Sequence, residues 1–164
     1  MTVLVAGVGN VLRCDDAFGV RVVERLADHD LGDRVKVIET GIGGIHLVQE
    51  LMDPVDALLL VDASDQGRPP GTVMVIQPEV ADVTQMPLIK RADFLADMHY
   101  AKPERAFMLA RALGVLPPIF MLIGCQPVDA TSMGTTMSPE VTAAVDVAVE
   151  EVRRIITELR SAVG

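Results

Sequence analysis

Val3-Leu4-Val5-Ala6-Gly7-Val8-Gly9-Asn10-Val11-Leu12 runs directly into Arg13-Cys14-Asp15-Asp16-Ala17-Phe18-Gly19-Val20-Arg21-Val22-Val23. The continuous apolar run from Val3 to Ala6 reads as a strand covered on both faces. Gly7-Val8-Gly9 reads as a tight turn. From Ala17 to Ala27 the pattern is helical, with Phe18, Val22, Val23 and Leu26 on one side and Arg21, Glu24 and Arg25 elsewhere. A strand, a glycine turn and a helix in this order open an α/β sheet, whose working groups collect beyond the carboxyl ends of its strands. Two adjacent aspartates in that loop oppose a phosphate. They suit a metal ion or a shared proton.

The same alternation continues outward. Val35-Lys36-Val37-Ile38 is a second strand ending at Glu39-Thr40-Gly41-Ile42-Gly43-Gly44, and a helix over Ile45 to Met52 stops near Asp53-Pro54. Ala57-Leu58-Leu59-Leu60-Val61 is a third strand, with Asp62-Ala63-Ser64-Asp65 at its carboxyl end. The Pro/Gly turn from Gly67 to Gly71 is too short for a crossover helix, so the strand Thr72 to Ile76 is expected to run antiparallel to its predecessor. A Pro-containing stretch leads to Asp93-Phe94-Leu95-Ala96-Asp97-Met98-His99. Pro103 to Leu113 fits a helix ended by Gly114. Ile119-Phe120-Met121-Leu122-Ile123 is the last strand, closing on Gly124-Cys125-Gln126-Pro127. Ser138 as N-cap and Pro139 at the first helical position start a final helix that reaches about Ser161. The expected architecture is one domain over residues 1–164, a three-layer α/β/α sandwich around a mostly parallel five-stranded sheet with one antiparallel strand.

Composition narrows the function. The 164 residues are 50% hydrophobic with a mean hydropathy of +0.38, ample for one core. A formal charge of −9 argues against nucleic acid, whose phosphates call for Lys and Arg. An aromatic content of 3% and the lack of Trp argue against stacking platforms. No window is long and apolar enough for membrane insertion, and no secretory signal is visible. Two cysteines are too few for a disulfide framework, so a cytoplasmic location is expected.

Gly7-Val8-Gly9 after a strand invites a dinucleotide reading, but the fingerprint needs a third glycine at position 12, where this chain has Leu12. Asp15 and Asp16 would also oppose a pyrophosphate. Asp16 and Asp62 are the more informative pair, because, if both lie at one end of the sheet beyond strands one and three, their carboxylates would converge in one crevice. Two bare carboxylates ~4 Å apart repel by roughly 4 kcal/mol at an effective dielectric of 20, so convergence calls for a cation or a shared proton. The plain alternatives are a helix N-cap or first-turn role for Asp16, which Asp15 could fill instead, and a turn role for Asp62. Spacing leaves both open. His99, just before a helix, would complete a mixed N/O metal site, and imidazole alone suits nickel, zinc and copper equally. His29 and His46 read as structural. Cys14 has no neighbouring histidine and Cys125 reads as packing at a strand end. No serine elbow, P-loop or His-Glu-x-x-His is present.

Taken together these residues resemble the hydrogenase maturation proteases, endopeptidases that trim a C-terminal extension from the large subunit of nickel–iron hydrogenases. The likeness covers nearly the whole chain. It runs through Gly7-Val8-Gly9-Asn10-Val11-Leu12, Asp15-Asp16-Ala17-Phe18-Gly19-Val20-Arg21, the strand ending in Asp62-Ala63, and His99. It continues through Leu109-Ala110-Arg111-Ala112-Leu113-Gly114, Leu122-Ile123-Gly124-Cys125-Gln126-Pro127 and the terminal helix after Ser138-Pro139. The resemblance implies that Asp16, Asp62 and His99 are both the metal-binding and the catalytic trio. They would engage nickel already inserted in the large-subunit precursor, with no organic cofactor. It also implies a mixed sheet with one antiparallel strand. Asp16 stands where the family often has glutamate, which shortens its reach by roughly 1.5 Å. Glu39-Thr40-Gly41-Ile42-Gly43-Gly44 departs from the family's glycine-rich pattern. The same trio would also serve a non-catalytic nickel chaperone or checkpoint for that precursor.

Overall fold

A computed structural model of the chain describes residues 1–42, 44–87 and 103–162. Its elements are β1 (Val3–Val8), a 3₁₀ turn (Cys14–Ala17), α1 (Phe18–Leu26), β2 (Val35–Gly41), α2 (Gly44–Glu50) and β3 (Ala57–Ala63). Then follow β4 (Val73–Ile76), a second 3₁₀ turn (Val83–Gln85), α3 (Pro103–Ala112), β5 (Ile119–Cys125) and α4 (Pro139–Ser161). The sheet order is β2-β1-β3-β5-β4, with β4 alone antiparallel.

β3 is the spine of the sheet because it is apolar on both faces. Every residue from Ala57 to Val61 is fully buried, and each buried Leu or Val stabilises the fold by roughly 1.5–3 kcal/mol. Such a strand needs a partner on each edge and a helix layer on each face. Val3, Val5, Leu59 and Val61 meet Phe18, Val22 and Leu26 of α1 and Val145, Val149 and Ile156 of α4. Leu4, Ala6, Leu58 and Leu60 meet Leu47 and Leu51 near α2 and Phe107 and Ala110 of α3. The three-layer sandwich follows from this alternation. In α4, Ser138 is the N-cap and its Oγ accepts from the Val141 amide at 3.4 Å, with Pro139 in the first turn.

Two details go beyond the sequence reading. β4 runs opposite to β3, as expected, yet it pairs with β5, which lies between them. Fully buried β3 takes two parallel partners, and the short, half-exposed β4 is left at the edge. In addition, β1, β2, β3 and β5 all run two or three residues past their expected carboxyl ends. Asp62 therefore lies inside β3, in register with Gly124 of β5, rather than in a turn beyond it. Among the described residues no helix is long and apolar enough to cross a membrane.

Candidate functional site

β1 and β3 are parallel neighbours, with Gly7 opposite Val61. Residues that follow either strand therefore emerge at the same edge of the sheet. The chain leaves β1 at Val8, passes Asn10 and returns through the 3₁₀ turn, which packs against β3. This brings the segment carrying Asp16 to the carboxyl end of the strand carrying Asp62. Asp62 is buried and Asp16 is partly so. The backbone amide of Asn10 donates to Asp16 Oδ2 at 3.0 Å. Burial pushes the Asp16 carboxyl above its ordinary pKa, and the Asn10 amide and the Arg13 charge only partly offset this. A carboxylate held in this way gains from a cation at its face.

The adjacent acid has a different task. Asp15 is 1% exposed, and its side chain accepts four hydrogen bonds across the fold. Oδ1 takes the Ser138 amide at 2.6 Å, while Oδ2 takes the Val128 and Asp129 amides at 2.8 and 3.0 Å and the Ser138 hydroxyl at 3.1 Å. Burial alone would raise its pKa, but these donors outweigh burial and hold the carboxyl below the usual range. Asp15 thus sits at the N-terminus of α4, where the helix dipole also favours negative charge. Neither aspartate caps α1, whose N-cap Ala17 makes no side-chain bond. With Asp15 committed to the scaffold, Asp16 is the acid of the pair that remains for chemistry.

Close backbone approach is what allows this arrangement. A Cβ on Gly9, whose φ is +145°, would lie 1.8 Å from the Asp16 carbonyl. One on Gly19 would lie 2.2 Å from the Val61 carbonyl and 2.3 Å from that of Val8, and one on Gly7 would lie 2.3 Å from the Gly19 carbonyl. Gly19 therefore does what a glycine at position 12 does in a dinucleotide fold, letting the helix start press onto the strands. The sequence reading missed this role, although Gly19 follows the acidic pair by only three residues. Gly19→Ala is expected to cost about 1–3 kcal/mol through overpacking, and a urea titration of the two proteins checks it.

Behind Asp62, the buried Gln126 fixes the β3–β4 loop. Its Oε1 accepts from the Gln66 and Arg68 amides at 2.7 and 3.1 Å, and its Nε2 donates to Asp65 Oδ1 at 2.9 Å. The Thr40 hydroxyl donates to the Gly7 carbonyl at 3.1 Å and ties the end of β2 to that of β1. Cys125 is buried, and desolvation together with the Asp15 charge pushes its thiol up to about 12, so it packs and does not attack. Cys14 and Cys125 are both free thiols. His46 is half-exposed, with Nε2 3.7 Å from Glu50 on the same helix. His99 lies outside the described residues. Among the described residues, no three His, Cys, Asp or Glu side chains form a cluster able to hold a metal.

The family profile of the hydrogenase maturation proteases matches residues 20–155. The chain is similar to the hydrogenase expression/formation protein HupD of Rhodobacter capsulatus, with 34% identity over 160 residues that span 97% of this chain and 71% of that protein. It is also similar to a putative hydrogenase maturation protease of Methanocaldococcus jannaschii, 34% identical over 151 residues that span 90% of this chain and 92% of that one. Among solved structures, the hydrogenase maturating endopeptidase HybD from E. coli superposes with a TM-score of 0.74 at 29% identity, covering 96% of this chain and 93% of that one.

Proposed function

The chain belongs to the hydrogenase maturation protease family, and from that premise we propose that it removes the C-terminal extension of a nickel–iron hydrogenase large-subunit precursor once nickel is in place. The chain is a peptide-bond hydrolase of hydrogenase maturation, and the proposal concerns how it recognises and cuts its substrate. Asp16 and Asp62, joined by His99, hold the nickel that the precursor carries, so a precursor without nickel is not presented for cutting. The observation that carries this reading is the packing of the Asp16 turn against the end of the Asp62 strand. The elevated pKa of Asp16 supports it further, since a carboxylate that burial disfavours is relieved by a cation.

The reaction needs a water to attack the scissile carbonyl and a group to take its proton. The nickel held by the site would polarise the water, and whichever carboxylate oxygen of Asp16 or Asp62 the metal leaves free would take its proton. The proton then passes to the departing amine as the C–N bond breaks, leaving a new C-terminal carboxylate on the large subunit. No organic cofactor enters these steps. The reaction takes place in the cytoplasm on this reading, in keeping with two free thiols.

Purified protein mixed with nickel-loaded precursor is expected to yield the shortened subunit and a free tail peptide, both read by mass spectrometry. Nickel-free precursor is expected to stay intact. Binding without any shortening would favour a checkpoint that does not cut, and equal cutting of both precursors would overturn recognition through nickel.

A further inference from the structure

We propose that the apolar side chains around the Asp16–Asp62 edge form the docking surface for the precursor, and that they receive an apolar segment bordered by basic residues. The inference rests on the function proposed above and specifies how the partner is gripped. Leu12, Ile42, Ile45, Val128 and Met133 are between 48% and 74% exposed. All five lie at the edge of the sheet where Asp16 and Asp62 emerge. The other large exposed hydrophobics among the described residues, Met52, Val75, Leu113 and Val147, are scattered over separate elements. Single exposed apolar residues are ordinary, but several gathered at one edge mark a contact surface.

Hydrogen bonds order the loops that carry these exposed side chains. The Gly134 amide donates to the Leu12 carbonyl at 2.9 Å, and the Cys14 amide donates to the Gly134 carbonyl at 2.9 Å, which sets Met133 beside Leu12. The Val128 amide is held by Asp15. The Gly9 amide donates to the Gly41 carbonyl at 3.0 Å and fixes the approach of Ile42. Asp129 Oδ1 accepts from the Thr131 and Ser132 amides, each at 2.9 Å, and keeps the β5–α4 loop in shape. These bonds fix the backbone from which the apolar groups project. A surface fixed before its partner arrives loses less ordering entropy on binding.

Charge decides among possible occupants. Among the described residues around this edge, Glu39, Asp65, Asp129 and Asp16 outnumber Arg13 and Arg68, and the whole chain carries −9. An anionic lipid surface is repelled by such a rim, because interfacial binding uses Lys and Arg around the apolar groups. A second copy of the chain brings the same negative rim and is repelled too. A protein presenting apolar residues among Lys and Arg meets both features, and like-charge partners are rejected.

The test uses nickel-loaded precursor with the double variant Leu12→Asp/Met133→Asp and the control Met52→Asp/Val147→Asp. Both pairs are exposed, and circular dichroism checks that each variant folds. The rim variant is expected to raise KM about 10-fold or more with kcat within about two-fold. Equilibrium binding of the precursor is expected to weaken in parallel and to fall with added salt in the wild type, while the control changes neither. An unchanged KM and unchanged binding in the rim variant overturn the surface while leaving the protease reading intact. A wild type that binds but does not cut overturns the protease reading, and the binding comparison still decides the surface. Failure of the wild type to bind the precursor at all overturns the surface. So does a wild-type dimer that the rim variant splits with no change in precursor binding.

Discussion

Asp16→Asn and Asp62→Asn are each expected to cut precursor processing by about 10²–10⁴-fold, the range that a positioned acid–base group supplies, without unfolding the protein. Asn keeps the volume and one carbonyl oxygen of Asp, so the Asn10 amide still has an acceptor at position 16. Asp16→Asn is distinguished from generic damage by the sign of its stability change. Burial raises the folded-state pKa of Asp16. For an acid shifted in that direction, the contribution to stability is complete below the unfolded pKa and is lost as the pH rises through the folded value. At neutral pH the ionised carboxylate therefore weighs against the fold in the absence of a cation. Asp16→Asn is thus expected to show an equal or higher Tm at pH 7 together with lost activity. Stability sacrificed at a working site has this signature. Thermal denaturation beside a gel-shift cleavage assay measures both. Retained cleavage by both variants would remove Asp16 and Asp62 from the site.

The largest stability loss is expected at the neighbouring residue. Asp15→Ala leaves the Val128, Asp129 and Ser138 amides without their acceptor, and the Ser138 hydroxyl with them. An unsatisfied buried donor costs roughly 1–3 kcal/mol. Some of these groups will find water, so a net loss of about 3–5 kcal/mol is expected, a large share of the 5–15 kcal/mol typical of a domain. The pH dependence has the opposite sign to that of Asp16. Its amide donors hold the folded pKa of Asp15 below the usual carboxylate value. The stabilisation is present above the unfolded pKa of about 3.9 and is lost as the pH falls through the lowered folded value. The wild type should therefore lose stability in that acid window, and Asp15→Ala should show a flatter acid limb. Urea unfolding at pH 7 and across pH 2–5 checks both parts. A loss under 1 kcal/mol would show that the hydrogen bonds to Asp15 are replaceable.

These two residues also show how far the sequence could be read. The alternating helices and strands, the final helix with its Ser138-Pro139 start, and the single reversed strand were legible because local pattern and turn length dictate them. The family likeness was legible from the block around Gly7 to Arg21. Adjacent acids cannot be told apart by spacing, since Asp15 and Asp16 carry the same group one residue apart. What separates them is that Asp15 meets a loop more than a hundred residues away in the chain. The role of Gly19 was hidden for the same reason, because the Val61 carbonyl that it must clear belongs to another strand. The extra residues at the strand ends were hidden too, as pairing with a neighbour extended them beyond their own apolar runs.

The sequence by itself determined the three-layer fold, the mixed sheet and the edge at which the glycine turn and its acids emerge. Strands, helices and turns of this kind are encoded over a few residues, by the period of apolar positions and by Gly and Pro. Only the tertiary structure decided that Asp15 anchors α4 while Asp16 is left partly buried beside the Asp62 strand. It alone put Asp62 inside β3 opposite Gly124. Those outcomes depend on which donors and which backbone atoms the folded chain brings from distant positions, and no local pattern carries that information.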